Sequence, residues 1–222
     1  MIGRLRKGRQ AKAGALAALL AASVLAVSSG WAASLTVSSS RLTSWSSAAG
    51  CTPGTVTASA DQDTYVDESD PSSSFGGATE LKVKAPLVGL LGVDLGARRQ
   101  TLVRFALPDL GLCSVTQAKL RLYAAASPNS VPIETLRVIE EWSETRTWGP
   151  PATSGTAVSI TSGTAAGWRE WTVTSQVAAM YAGPNHGFLV RDDLGLSLLS
   201  PEQIFNSRTA AGNVPELVIT LG

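Results

Sequence analysis

The sequence has few of the residues from which catalytic sites are usually built. Its 222 residues include one histidine, His186, and two cysteines. There is no G-x-S-x-G nucleophile elbow, no H-E-x-x-H motif or Cys/His cluster that would hold a catalytic zinc, and no glycine-rich phosphate loop. A Ser-His-Asp or Cys-His site would have to be built on His186, which follows a Pro-Asn turn and is expected to begin a strand. These absences argue against a triad hydrolase and against a zinc enzyme.

Clustered carboxylates are the remaining route to catalysis. They occur at Glu140, Glu141 and Glu144, and again at Asp192 and Asp193. A glycosidase needs two carboxyl groups in a cleft, about 5 Å or about 6.5–9.5 Å apart, whereas neighbouring acids at the end of a strand are usually solvated. We therefore predict that the chain is not an enzyme, and a polysaccharide-degrading enzyme is kept as an alternative.

Residues 1–33 have the three-part layout of a secretory signal peptide. Residues 13–27 are an uninterrupted run of small and apolar residues, and small residues surround a cleavage site near Ala32 or Ala33. The run is shorter than the roughly 20 residues of a membrane-spanning helix, so cleavage is favoured over an uncleaved anchor. A secreted or cell-surface protein is predicted. The basic residues that precede the run are Arg4, Arg6, Lys7, Arg9 and Lys12.

Cleavage would also remove the basic surplus of the chain. The formal charge is +1, but the loss of five of the 18 Lys and Arg leaves 13 against 17 Asp and Glu. The processed chain then has no basic surplus, so its charge gives no indication of nucleic acid as a partner. No membrane association is expected after processing. Charged residues are 16% of the chain, below the usual ~25%, which suits a secreted β protein with many turns.

The two cysteines are Cys51 and Cys113. An oxidising destination and an even count favour a disulfide between them, and two separate buried thiols are the alternative. The chain-entropy estimate for a loop of this length is about 4 kcal/mol of stabilisation.

Residues 34–50 are rich in serine and predict a flexible spacer, with a folded domain over residues 51–222. Within that domain the dominant signal is alternation of apolar and polar residues with period two, which is typical of half-buried strands. Leu81 and Val83, for example, alternate with lysines, and Leu120 and Leu122 with basic or aromatic residues. Turn signals separate such runs every ten residues or so, which indicates an all-β sandwich or barrel. One short helix is predicted over residues 175–181.

Four aspartates cluster around the first predicted strand, at Asp61, Asp63, Asp67 and Asp70. Calcium takes six to eight oxygen ligands, and an aspartate-rich loop can supply them. A structural calcium ion held by Asp61, Asp63 and Asp67 is one interpretation, and a solvated turn is the other. No other cofactor is predicted.

Short motifs occur in a fixed order along the predicted domain, at residues 60–66, 71, 75–76, 81–83, 99, 102–105, 118–123, 142–144, 147–148, 150, 171–174, 187–189 and 215–217. Together they resemble the DNRLRE domain, which is related to carbohydrate-binding module family 96. The resemblance covers about residues 55–221 and implies a jelly-roll β-sandwich of two antiparallel sheets on an exported bacterial or archaeal protein. It also implies binding of polysaccharide, often acidic or from the cell envelope, without catalysis by the module.

Two sets of residues are candidates for holding a sugar. Trp168 follows a glycine at the start of a predicted strand and is the tryptophan least committed to packing. Trp171 is expected in the core, and the resemblance implies a packed corner at Trp142 and Trp148. Five basic residues fall on the outward phase of their strands. If those strands share a sheet, the five residues would form a basic stripe that could bind uronate carboxylates. The alternative is that they occupy ordinary solvated positions. A structural or adhesive surface protein remains a rival function. The five basic residues are Lys82, Lys84, Arg104, Lys119 and Arg121.

Overall fold

The computed structural model describes residues 50–86, 97–192 and 201–222. The predicted signal peptide and nearly all of the predicted spacer lie outside these ranges. In chain order the elements are β1 (Gly54–Asp67), β2 (Glu80–Val83), β3 (Arg99–Phe105), β4 (Val115–Ala124), β5 (Pro132–Val138), β6 (Thr153–Thr161), β7 (Gly167–Thr172), α1 (Thr174–Tyr181), β8 (Phe188–Asp192), β9 (Gln203–Asn206) and β10 (Glu216–Leu221).

The strands pair antiparallel in two sheets that face each other. The first sheet places β10 between the first half of β1 and β4, with β7 on the other side of β4. Strand β9 meets the end of β4, and β2 pairs with β9. The second sheet runs from the second half of β1 through β3, β8 and β5 to β6. This arrangement, with one short helix in the described part of the chain, confirms the predicted all-β sandwich.

Strand β1 belongs to both sheets. Residues Gly54 to Ser59 pair with β10, whereas Ala60 to Asp67 pair with β3. The register shifts between Ala60 and Gln62, so Asp61 is the extra residue of a β-bulge. A bulge bends its strand and increases its twist, and here it carries one continuous strand from the first sheet into the second.

The main core lies between the sheets and follows the alternation of the sequence. Leu120 and Leu122 of β4 are fully buried, as are Leu81 and Val83 of β2. Trp171 of β7 is also fully buried, and its indole Nε1 donates a hydrogen bond of 3.0 Å to the main-chain oxygen of Ile133 in the second sheet. A buried indole needs such an acceptor. This hydrogen bond therefore links the two sheets across the core. The predicted core position of Trp171 is confirmed.

A second, smaller core covers the other face of the second sheet. It consists of Leu102, Val138, Trp142 and Leu189. Leu102 and Leu189 alternate with the core residues of β3 and β8, so period-two alternation alone would place them in solvent. They are buried because the segment that follows β5 folds back and lays the indole of Trp142 over them. The predicted packed corner is therefore present at Trp142.

The predicted disulfide and helix are both present. Cys51 and Cys113 are bonded, with their Cα atoms 4.6 Å apart. Helix α1 buries Val177 and Met180 against the main core, and the Tyr181 hydroxyl donates a hydrogen bond of 2.8 Å to the oxygen of Pro108. Across the ranges that the structure describes, no helix is long and apolar enough to cross a membrane.

Candidate functional site

The outward face of β4 and its two neighbours carries a network of ion pairs. In the strand register Arg121 lies opposite Glu216 on one side and Glu170 on the other. Its Nε is 2.8 Å from Glu170 Oε1, and its Nη1 is 2.6 Å from Glu216 Oε2. Lys119 Nζ donates to the second oxygen of Glu170 at 2.9 Å. The hydrogen bond from Lys119, aided by Arg121, holds the pKa of Glu170 below its usual range. Two cations are thus matched by two carboxylates.

Two aromatic rings extend this network along the same face. Tyr123 and Trp168 are register partners on β4 and β7, and both are half-buried. Their rings meet edge to face with centroids 5.5 Å apart, and the guanidinium carbon of Arg121 lies 4.4 Å from the centre of the Trp168 ring. A guanidinium over an indole is a favourable cation–π contact that also fixes the ring. The sequence singled out Trp168 and missed Tyr123, although Tyr123 has the same outward phase as Arg121. We call these residues the Trp168 surface: Lys119, Arg121, Tyr123, Trp168, Glu170 and Glu216.

The other three predicted basic residues lie elsewhere. Arg104 is on β3 in the second sheet, where its Nη2 is 2.8 Å from Asp61 Oδ2. Lys82, on β2, has Glu202 at 3.8 Å and the Tyr65 ring centre at 5.8 Å. Lys84 follows β2, and its main chain forms a bridge with β3. The single basic stripe therefore does not form, because these strands are divided between two sheets and four of the five cations have a carboxylate within 4 Å.

The three aspartates predicted to hold calcium face three different partners. Asp61 pairs with Arg104, as above. Asp67 accepts hydrogen bonds from Arg99 Nε at 2.7 Å and from both N and Oγ of Ser69. Burial raises the pKa of Asp67, but these bonds outweigh it and hold the pKa below its ordinary value. Among residues 50–86, 97–192 and 201–222 no three His, Cys, Asp or Glu side chains are grouped to hold a metal. The geometry does not support the calcium interpretation.

Asp63 belongs instead to a partly buried network with Glu144 and Arg208. Asp63 is 1% exposed, and its Oδ2 accepts from the Arg208 main-chain N at 2.6 Å. Glu144 accepts from Arg208 Nε and Nη2 at 2.7 and 2.8 Å and from the Asp63 N at 3.1 Å. Burial raises the pKa of Asp63 to about 6, whereas the Arg208 guanidinium lowers that of Glu144. We call this group the Arg208 network.

The Arg208 network brings a predicted carboxylate, Glu144, beside another acid, Asp63. A cavity of about 370 Å³ lies next to it. Glu144 lines this cavity and accepts hydrogen bonds from two nitrogens of the Arg208 guanidinium, whereas the Asp63 side chain is enclosed. Of the other predicted acids, Glu140 accepts from Arg146 and from the Ala152 N. Asp193 lies outside the described residues.

A β-sandwich that presents an ordered tryptophan among hydrogen-bonding side chains on an outer sheet face has the features of a sugar-binding module. The family comparison agrees with this assignment. The chain belongs to carbohydrate-binding module family 96, whose family model matches residues 54–221. This match confirms the relation to family 96 that the sequence motifs predict. No curated protein matches the chain.

Proposed function

We propose that the chain is a secreted, non-catalytic module that binds an extracellular or cell-envelope polysaccharide through the Trp168 surface. The observation that carries this proposal is the stacking of Arg121 on Trp168 beside Tyr123, at 4.4 Å from the ring centre. The contact holds the indole in one orientation on an outer sheet face. A ring that is already ordered loses little conformational entropy when it binds a ligand.

The groups on the Trp168 surface are complementary to those of a sugar ring. The indole of Trp168 offers an apolar surface to the C–H groups of a pyranose. Lys119 donates and Glu170 accepts hydrogen bonds, and together they can order the hydroxyl groups along its edge. Because Lys119 and Arg121 are already neutralised by carboxylates, this surface is suited to C–H and hydroxyl groups more than to a uronate carboxylate.

Export is supported by the predicted signal peptide of residues 1–33, and the folded module by strands that run from Gly54 to Leu221.

Absence of catalysis is supported by the enclosure of Asp63 and by the two hydrogen bonds that Arg208 makes to Glu144. Incubation of the protein with a polysaccharide panel should release no reducing ends. Release that disappears in a Glu144→Gln variant would establish the enzymatic alternative.

An extended exposed apolar surface would favour the adhesive alternative. The exposed large apolar side chains among the described residues are Val56, Leu112 and Ile139, which lie on three different segments. The exposed apolar side chains therefore do not favour the adhesive alternative.

Replacement of Trp168 tests the binding surface. The purified full chain and its Trp168→Ala variant are compared by affinity electrophoresis in gels that contain neutral or acidic polysaccharides. We expect the variant to lose roughly tenfold or more in affinity, since stacking on a sugar and anchoring of Arg121 are both removed. Trp148→Ala is the matched control, because Trp148 is also half-buried but lies outside the surface. Equal retention of wild type and Trp168→Ala would refute the assignment.

A further inference from the structure

A second polar cavity lies between β5, β6 and the start of α1. Its volume is about 230 Å³. It forms where the register of β6 against β5 slips, between the pairs Thr135–Val158 and Arg137–Ser154. Gly155 lies in the slipped segment with φ +89°, a conformation that other residues rarely adopt. The lining residues are Arg137, Ser154, Gly155, Thr156, Ser175, Gln176 and Ala179.

Arg137 is the unusual member of this lining. Its side chain is half-buried, yet its guanidinium has no hydrogen bond or ion pair. Each of the other arginines in the described part of the chain has at least one such partner; Arg169, for example, donates to the main-chain oxygens of residues 165, 167 and 168. No carboxylate lines the cavity. A partly desolvated guanidinium without an acceptor is costly, and an anionic ligand would remove that cost.

The rest of the lining includes polar atoms that have no hydrogen-bond partner in the described protein. Gln176 is 4% exposed, and its Nε2 donates to the main-chain oxygens of Thr135 at 3.2 Å and Thr156 at 3.1 Å. These two bonds fix the amide, and its Oε1 is left buried without a donor. The hydroxyl groups of Ser154, Thr156 and Ser175 also make no side-chain hydrogen bond within the described residues.

We propose that this cavity is a subsite for one acidic sugar unit, whose carboxylate pairs with Arg137 and whose hydroxyl groups bond to the serine and threonine hydroxyls. This proposal rests on the proposed function and adds to it a site on the second sheet, separate from the Trp168 surface. The donors fit this class of ligand because a uronic acid combines one carboxylate with several hydroxyls, and guanidinium binds carboxylate with two parallel bonds. The volume is below the roughly 300–1,000 Å³ of pockets for drug-sized ligands, so it suits a single sugar unit.

The test compares Arg137→Gln with wild type on two polymers, polygalacturonate and a neutral galactan, by isothermal titration of the full chain. We expect a loss of roughly tenfold or more in affinity for polygalacturonate and unchanged affinity for the galactan. Arg137→Lys keeps the charge without the paired geometry and should fall between the two. Arg146→Gln is the matched control, since Arg146 already pairs with Glu140 on the surface. Circular dichroism confirms that each variant is folded.

Titration of galacturonate monomer, followed by amide NMR shifts, separates this inference from the proposed function. Shifts confined to the neighbourhood of residues 137, 154–156 and 175–176 would support the subsite even if polymer binding is weak. Polygalacturonate binding that is equal in wild type and Arg137→Gln would overturn the subsite and leave the Trp168 surface standing. Loss of all polymer binding in Trp168→Ala, with galacturonate shifts intact, would support both sites. Wild-type protein that binds no polymer and shows no shifts would overturn both proposals.

Discussion

The indole Nε1 of Trp142 donates a hydrogen bond of 2.7 Å to the main-chain oxygen of His186. The bond joins the segment after β5 to the turn before β8, and it closes the small core over Leu102 and Leu189. The one histidine of the chain is thus used here through its carbonyl group rather than its ring. A strand-start role was expected for His186, and β8 begins two residues later, at Phe188.

Trp142→Phe should lower the free energy of unfolding by roughly 1–2 kcal/mol, because the aromatic volume is largely kept while the His186 oxygen loses its donor. Urea denaturation measures this change. Trp148→Phe is the control and should stay within about 0.5 kcal/mol of wild type, since the Trp148 indole donates no hydrogen bond within the described residues. Equal losses in the two variants would show that the hydrogen bond contributes nothing specific.

Joint replacement of Cys51 and Cys113 by serine should destabilise the protein by up to about 4 kcal/mol, because the unfolded chain regains the freedom of the loop that the bridge closes. Thermal unfolding with and without a phosphine reductant measures the effect. Reductant should lower the midpoint of the wild type and leave that of the double variant unchanged. A wild-type midpoint insensitive to a reductant that demonstrably opens the bridge would contradict this account.

Asp63 should make the protein less stable as the pH rises from about 4 to 6. Its pKa is about 6 in the folded protein against an ordinary 3.8, so the folded state binds the proton more tightly across that window. Stability gained from the protonated form is therefore lost as the pH increases through the folded pKa. Asp63→Asn mimics the protonated acid, and its stability relative to wild type should improve between pH 4 and pH 7 by up to about 3 kcal/mol.

Urea denaturation of both proteins at the two pH values measures that difference. The pKa of Glu144 is lowered, mainly by Arg208, so its own contribution has the opposite sign and is lost as the pH falls. Glu144→Gln is therefore an informative control, because its deficit against wild type should be larger at pH 7 than at pH 4. Parallel pH profiles for wild type and Asp63→Asn would rule out a proton held by Asp63.

Much of the sandwich could be predicted from the sequence, because burial between two sheets imposes period two on each strand. Leu120 and Leu122 show this alternation clearly, and both are in the core. Strand β6 was not predicted: residues Thr153–Thr161 are mostly small and polar, and only Val158 and Ile160 pack against the core. The period-two pattern also could not predict the burial of Leu102, because that burial depends on a distant segment that folds over the sheet.

The candidate site was predictable only in its components. The outward phase of β4 indicates Lys119 and Arg121, and the position of Trp168 after a glycine at a strand start indicates Trp168; the three residues do lie together. Their neutralisation was not predictable, because the acids that pair with Arg121 are 49 and 95 residues away along the chain, at Glu170 and Glu216. Strand register decides those pairs, and the period-two pattern does not specify it.

The Cys51–Cys113 bond has a further consequence for a module that is pulled while attached to a fixed surface. Tension that enters at residue 50 passes through the two sulfur atoms to residue 113 and bypasses everything between them. Strands β1, β2 and β3 lie in that shielded segment, including the strand shared by both sheets. Mechanical extension of the domain is then limited to the chain beyond residue 113 for as long as the bond is oxidised, and reduction would lengthen the tether by the whole of the enclosed segment.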